Sequence, residues 1–578
     1  MRRLSYDADQ LEEGMPTSRL STAFITLSAM LATGCPQPVQ QAQQQPTTAP
    51  QAAPAPFPAP AERVGSVMPG TVDIDRSAPV SAPQSYAEGA LCPGCDVVLI
   101  SVCSLRADHL GAYGDTRGLT PTIDALAKKS IRFTSAYAGA NFTLGSLATM
   151  LTGNFGSTTG VLNWGRGLPE RYHTIPSVLG IFGYRTGGFS VDAATGFRPD
   201  YGLDKGFQRM VVIDPPRDTP DGRHRDEAIG PGGATAAPLA AWLTEQPTDR
   251  PVFAMLHTRS AHFPFVNSTD GMESDATGVR RALWEEGAGQ RDRQGKRAMP
   301  GKAGGQMRPG LVLVGELTIQ RIVRQAGSDG VSEWSETYAE SVARMDKDVA
   351  ATLKAVEARG QKTVVILMAD HGETLDDNGE LLHGAGFFQS VAHVPLLVHI
   401  PGQAGDRQIS ALVSQADLLP TIAELVGVTP PEGIDGVSAV PLVLGTKDAI
   451  RSTALVEGDP SWTGRGTLPG AVISPPWTLL RQTFLCTPGE AHQRPPPPPG
   501  APLGEPPVNT CLFNIDQDPA QAENLASSQP DRVKALQDRW NGFRSARAGQ
   551  SVPRDLRLDP SMIEMLQRTG YDFRSGVE

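Results

Sequence analysis

Aromatic residues make up only 6% of this 578-residue chain, cysteine occurs six times, and Lys and Arg form no stripe outside one loop. With a net charge of −11 and no basic face, the composition argues against a nucleic-acid surface. Long hydrophobic runs are also missing. The apolar stretch Leu20 to Gly34 is too short to span a bilayer in a mature protein. What remains is length, enough for one large core and a smaller C-terminal piece.

The Leu20–Gly34 stretch ends in small residues before Cys35, a pattern that resembles a bacterial lipoprotein signal over residues 1–35. Leu31 stands four residues before Cys35 rather than three, the leading segment is acidic, and Met15 is an alternative start with Arg19 as the positive region. A plain secretory signal with an incidental cysteine is the other reading. From residue 36 to 88 the chain is rich in Pro, Gln and Ala, too poor in large apolar groups to fold, and is expected to be a tether. A lipid anchor followed by a tether predicts a domain held at the membrane in the cell envelope of a bacterium, facing the periplasm or exterior. Disulfides persist in that compartment. Cys486 and Cys511 flank a proline run and are expected to pair, Cys92 and Cys95 can also pair, and Cys103 is left over.

Buried strands are expected at Val97–Val102, Val252–Leu256, Thr363–Met368 and Val394–Ile400, each a continuous apolar run bounded by turn residues. Helical patterns alternate with them. One starts at Thr120-Pro121, with Thr as N-cap and Pro at the first helical position, and another carries the stripe Tyr338, Val342, Met345, Val349, Leu353 and Val356. The alternation predicts an α/β fold, a large mostly parallel sheet flanked by helices on both faces, over residues 89–450. Residues 268–335 read as a surface insertion. A smaller α+β subdomain is expected over 451–547, with strands at Ala471–Ile473, Trp477–Thr483 and Cys511–Ile515 and a helix from Pro530, before a tail at 548–578.

In open parallel sheets ligands collect at the carboxyl ends of strands. The residues there are polar: Cys103 and Ser104 after the first strand, His257 and then His262 after the second, and Asp370, His371 and Glu373 after the third. A carboxylate beside an imidazole suits Zn²⁺ or a similar divalent ion, and His383 can add a ligand or a proton donor. Thr143, just before the helical run Leu147–Leu151, places a hydroxyl near a helix N-terminus that favours anions. Singly, these residues have plainer uses: Thr143 as an N-cap, the histidines as hydrogen-bonded structural groups, Asp370-His371 as a turn.

Together, VVLISVCSLRADHLGAYG from Val97, NFTLGSLATMLTG, GYRTGGF, the His257/His262 segment, MADHGE, LLHGAGF, DLLPTIAELVGV and CLFNIDQDPAQAENLA resemble, in order and spacing, the sulfatase family of the alkaline phosphatase superfamily over Asp96 to Leu525. The resemblance implies that Thr143 occupies the nucleophile position. The Cys/Ser-x-Pro-x-Arg motif that becomes formylglycine is absent, so Thr143 looks like the threonine nucleophile of relatives that act on phosphate esters. Asp370 and His371 match metal ligands, His383 a metal- or substrate-binding histidine, and His257 and His262 the histidines lining the site, with His262 the catalytic contact and His257 a substrate contact. The chain departs from the pattern at Cys103, where the family has an Asp ligand, and at Ser260, Asn378 and Ser390, where Asp, His and Glu are frequent. A thiolate at Cys103 favours Zn²⁺ over Ca²⁺ or Mg²⁺, or else disables the site. The expected activity is metal-dependent hydrolysis of a small sulfate or phosphate ester. The alternatives are an impaired, anion-binding lipoprotein and a phosphoester transferase.

Overall fold

The computed structural model describes residues 63–65, 71–76, 85–191, 196–197, 201–213, 233–262, 265, 278–279, 281–282, 316–383, 386–459, 468–482, 486, 509–547 and 554–555. The signal segment with Cys35 lies outside the described residues, as do most of the expected tether and tail. Among the described residues no helix is long and apolar enough to cross a membrane.

Ten strands form one sheet: β1 (Arg63–Gly65), β2 (Thr71–Asp75), β3 (Asp96–Val102), β4 (Ile131–Phe133), β5 (Arg185–Val191), β6 (Arg209–Ile213), β7 (Val252–Thr258), β8 (Thr363–Ala369), β9 (Leu396–His399) and β10 (Arg407–Ile409). Their order is β1-β2-β6-β5-β7-β3-β8-β9-β4-β10. The inner five, β6-β5-β7-β3-β8, are parallel to their neighbours. Antiparallel strands flank them at β2 and β9. Every residue of β3, β7 and β8 is buried, which is why they read as unbroken apolar runs rather than alternating ones. Burial also demands that strand ends be tied. Asp96 at the start of β3 accepts from Nε of Arg359 at 2.6 Å and from the Val252 amide at 2.8 Å.

Helices α1 (Pro121–Ala127), α2 (Thr143–Thr152), α3 (Gly233–Glu245), α4 (Gly327–Arg359) and α5 (Leu418–Val426) flank this sheet. On α4, Tyr338, Val342, Met345 and Val349 are fully buried as their helical spacing requires.

Three expectations need correction. β2 falls inside the stretch read as tether, where it pairs antiparallel with β6, the buried Ile74 opposite Met210. The segment read as an insertion supplies a helix at Glu316–Gln325 and the first turns of α4, where its Gly and Arg content masked a buried Trp334. Thr120 does precede α1, but its hydroxyl makes no cap bond and accepts instead from the Gly111 amide at 3.1 Å.

The C-terminal subdomain is a four-stranded antiparallel sheet, β11 (Ala454–Glu457), β12 (Gly470–Ser474), β13 (Trp477–Gln482) and β14 (Asn509–Asn514), covered by α6 (Pro530–Arg547) through Trp540. Disulfides join Cys486 to Cys511 and Cys92 to Cys95. Its first strand also reaches into the larger domain. Glu457 donates its amide to Gly139 O at 2.9 Å and accepts from the Asn141 amide at 3.3 Å, so the loop leading to Thr143 is held by the subdomain.

Candidate active site

The ends of β3 and β8 lie side by side, with Met368 opposite Ser101 and Ala369 opposite Val102. Parallel pairing therefore delivers Cys103 and Asp370 to the same edge. Ser104 next to them has φ of +58°, an uncommon conformation for a non-glycine residue that points to local strain. Two bonds hold it there: its amide donates to Asp370 Oδ1 at 3.0 Å and its carbonyl accepts from the Tyr338 hydroxyl at 2.7 Å. The Asp370 turn is stitched from the other side too. Gln415 Nε2 donates to the carbonyls of Ala369 and Asp370, and the Gly372 and Glu373 amides donate to Val391 and Ser390. A Cβ on Gly372 would lie 1.9 Å from the Ser390 carbonyl, so only glycine permits that approach.

Thr143 is the first residue of α2 rather than its cap; Phe142 precedes the helix and makes no side-chain cap bond. The hydroxyl is thereby released to face the sheet edge, 3.4 Å from Cys103 Sγ and 3.3 Å from His371 Nε2. Ligand atoms of Cys103, Asp370 and His371 all lie within 4.8 Å of one another, and all three residues are buried. Asp370 Oδ2 has no hydrogen-bond partner despite complete burial. His371 Nδ1 lies 2.8 Å from the Gly372 carbonyl, to which it must donate, so Nε2 keeps its lone pair. An orphaned carboxylate oxygen, an imidazole lone pair, a sulfur and a hydroxyl converging in a dry site fit a divalent cation.

Burial pushes the Cys103 thiol well up, and the Asp370 charge adds to it. Burial also works against the Asp370 carboxylate, but the His371 and His257 charges and the Ser104 amide outweigh it and hold the group low. His371 is depressed by burial. Beyond it, the His383 ring lies 4.3 Å from that of His371 and 4.9 Å from that of His262. Both oxygens of Glu373 are 3.1 Å from His383 Nδ1. Burial raises Glu373 to about 8 and lowers His383 to about 4, so at neutral pH their shared proton belongs to the carboxyl. Glu373 then donates to Nδ1, and Nε2 of His383 is the nitrogen bearing hydrogen.

The expected residues are thus brought together in two steps: Cys103, Thr143, Asp370 and His371 in mutual contact, and His383 with His262 beside them. His257 is set lower, within β7, fully buried with Nδ1 3.0 Å from Ser101 Oγ and Nε2 unpartnered. At Ser260 the hydroxyl donates to Asp348 Oδ2 at 2.7 Å, so α4 brings a carboxylate to that strand end.

Arg259, absent from the residues expected in the site, has Nη2 2.8 Å from His262 Nδ1 and a charge that acts on Cys103, His257 and His383. Its signal was its place directly after β7, between two chosen histidines. Glu373 was visible beside Asp370-His371 but had no role until its distance to His383 was known. Gln415 and Tyr338 gave no signal, since each acts across a long stretch of chain.

A sulfatase family model matches residues 96–428, more than half of the chain. Among curated proteins, the chain is 24% identical over 393 residues to a Delta 4,5-hexuronate-2-O-sulfatase of Bacteroides thetaiotaomicron, covering 64% of this chain and 77% of that protein. It is 27% identical over 472 residues to arylsulfatase A of Bos taurus, covering 76% and 86% respectively. Its fold matches that of the phosphonate monoester hydrolase of Agrobacterium radiobacter with a TM-score of 0.55 at 20% identity, over 81% of this chain and 98% of the other. With the family model spanning Cys103, Thr143, Asp370, His371 and His383, the chain belongs to the sulfatase family of the alkaline phosphatase superfamily, hydrolases of sulfate and phosphate esters.

Proposed function

We propose that the chain is a metal-dependent hydrolase of a small sulfate or phosphate ester whose nucleophile is Thr143 rather than formylglycine. The observation that carries this is the Thr143 hydroxyl at the start of α2, within 3.4 Å of both Cys103 Sγ and His371 Nε2. Cys103, Asp370, His371 and Thr143 would hold the cation, with Zn²⁺ preferred. When bound, it supplies the charge that makes a threonine alkoxide accessible and draws electrons from the ester oxygens.

The chain's own groups do the rest. First-turn amides of α2 have no intrahelical acceptor and attract the anionic ester. Thr143 Oγ1, its proton passed to solvent, attacks sulfur or phosphorus, the bond to the leaving oxygen breaks, and that oxygen takes the proton of His383 Nε2 as Glu373 passes its own proton to Nδ1, with His262 beside the leaving group. Water then attacks the threonine ester, restoring the hydroxyl and releasing sulfate or phosphate. Arg259 beside His262 adds a positive charge for the non-bridging oxygens, and His257 braces the floor beneath the substrate. Metal analysis of the purified chain, followed by assays on an aryl sulfate, a phosphate monoester and a phosphate diester, tests the proposal. Bound metal with turnover of one class is expected; absence of both overturns it.

A location in the bacterial envelope, with Cys35 lipidated, is part of the same proposal. Two disulfides support an oxidising compartment. Metabolic labelling with a fatty acid, present in the parent and lost in Cys35→Ala, is the expected result.

A further inference from the structure

Next to Glu373 there is a cavity of about 330 Å³, lined in part by Arg106, Asp108, Asp377, Gln389, Ser390 and Gln521. None of the residues around Thr143 that would hold the cation lines it. The volume falls within the range of small-molecule sites, roughly 300–1,000 Å³. Its position is fixed by shared backbone: Ser390 O accepts from the Glu373 amide, and Arg106 Nη1 donates to the Glu373 carbonyl at 3.2 Å.

Three polar atoms of this wall are buried without a partner: Gln389 Nε2, Ser390 Oγ and Gln521 Nε2. Buried polar groups are normally satisfied, so three at one cavity signal a ligand. The Gln521 amide is not free to turn: its Oε1 accepts from the Gln389 backbone amide at 2.6 Å, which leaves Nε2 over, whereas Gln389 Oε1 lies 3.2 Å from the Tyr137 hydroxyl, a group that can take either end of that amide. Gln521 is 1% exposed and sits at φ of +53°, strained for a glutamine. Asn378, at φ of +56°, secures that strained segment by donating to the carbonyls of Ala520 and Gln521.

The charges limit what can enter. Arg106 is committed to two carboxylates, donating to Asp108 at 2.7 and 2.9 Å and to Asp377, so the wall is one negative charge in excess. Anions are repelled by the carboxylates, and a cation, although drawn to Asp108 and Asp377, would leave the amide nitrogens unpartnered. A neutral molecule with several hydroxyls satisfies both, accepting from the amides and donating to Asp108 and Asp377.

We infer that this cavity is a second binding site, separate from the ester-cleaving cluster, for a single neutral sugar residue or a polyol of that size. It does not depend on Thr143 being a nucleophile. The test is saturation-transfer NMR on the full chain with D-galactose and N-acetyl-D-glucosamine as probes. At least one is expected to bind saturably, to stay bound in the presence of inorganic sulfate, and to bind Thr143→Ala equally well. Gln389→Glu, which keeps the acceptor for Tyr137 and removes the donor, is expected to weaken binding about tenfold, and Ser390→Ala a few-fold. Ser390 Oγ has no protein partner, so Ser390→Ala should fold like the parent. Absence of saturable binding by both sugars, displacement by sulfate, loss in Thr143→Ala, or binding unchanged in both cavity variants would each overturn the inference.

Discussion

Two polar clusters share the Asp370–Glu373 turn and have opposite characters. Around Thr143 the converging atoms are acceptors: Asp370 Oδ2, which has no partner, and the His371 Nε2 lone pair and Cys103 Sγ, which share the Thr143 hydroxyl. Around Ser390 they are donors: two amide nitrogens and a hydroxyl. The first cluster is buried throughout, whereas the second opens to solvent at Asp108 and Asp377. The first is therefore built for a cation and the second for oxygen atoms, and the Glu373 backbone is bonded to residues of the second.

The comparison breaks most sharply at the first cluster. Thr143→Ala is expected to lower turnover by about 10⁴-fold or more, with Thr143→Ser retaining part of it. Asp370→Asn should lose turnover to a similar extent by losing bound metal, which mass spectrometry of the native protein reads directly. Neither change should alter sugar binding at the second cluster. Turnover that survives Thr143→Ala would remove Thr143 from the mechanism.

A smaller effect separates sulfur from oxygen at one position. Cys103→Asp exchanges a soft donor for a hard one, and is expected to weaken Zn²⁺ about 10–100-fold while admitting Mg²⁺ or Ca²⁺. If the variant gains turnover that the parent lacks, the parent is an impaired relative. If it loses existing turnover, the thiolate is a working ligand. Metal titration of both proteins, with the same ester assayed in parallel, distinguishes the outcomes.

Much of the first cluster was legible in sequence because each member directly follows a fully buried strand or begins a helix. Cys103 and Asp370 could be placed together from the runs VVLISV and TVVILM alone, once a parallel sheet was assumed. The second cluster was not legible. Gln389, Ser390 and Gln521 meet only because the segment after β14 folds back over the larger domain, and Gln521 adopts a backbone conformation that its residue type does not advertise. Glycine-rich and basic composition likewise hid the start of α4, since a local pattern says little about a helix whose apolar face is completed by distant residues. Departures from the family pattern were visible at Ser260, Asn378 and Ser390, but not their setting: Asp348 beside the first, and a cavity beside the other two.

A further effect, on stability, concerns the subdomain that supports both clusters. Glu457 on β11 is fully buried; Oε2 accepts from the Ser157 amide at 2.7 Å while Oε1 has no partner. Burial raises its carboxyl from 4.5 to about 7, against the pull of the Ser157 bond and Arg544. Because the folded value exceeds the unfolded one, the native state binds more protons between those limits. Its contribution to stability is therefore largest in acid and is lost as pH rises from 4.5 through about 7. Glu457→Gln keeps a neutral side chain at every pH. Parent and variant should unfold alike near the acid limit, and the variant should be the more stable at alkaline pH by of the order of 2 kcal/mol, read from denaturant midpoints. A difference that does not change with pH would mean that Glu457 is not the titrating group. A loss of turnover in parallel with the loss of stability would show that β11 governs Thr143 through the loop at Gly139 and Asn141 that it holds, and sugar binding that follows the same curve would place the second cluster under the same control.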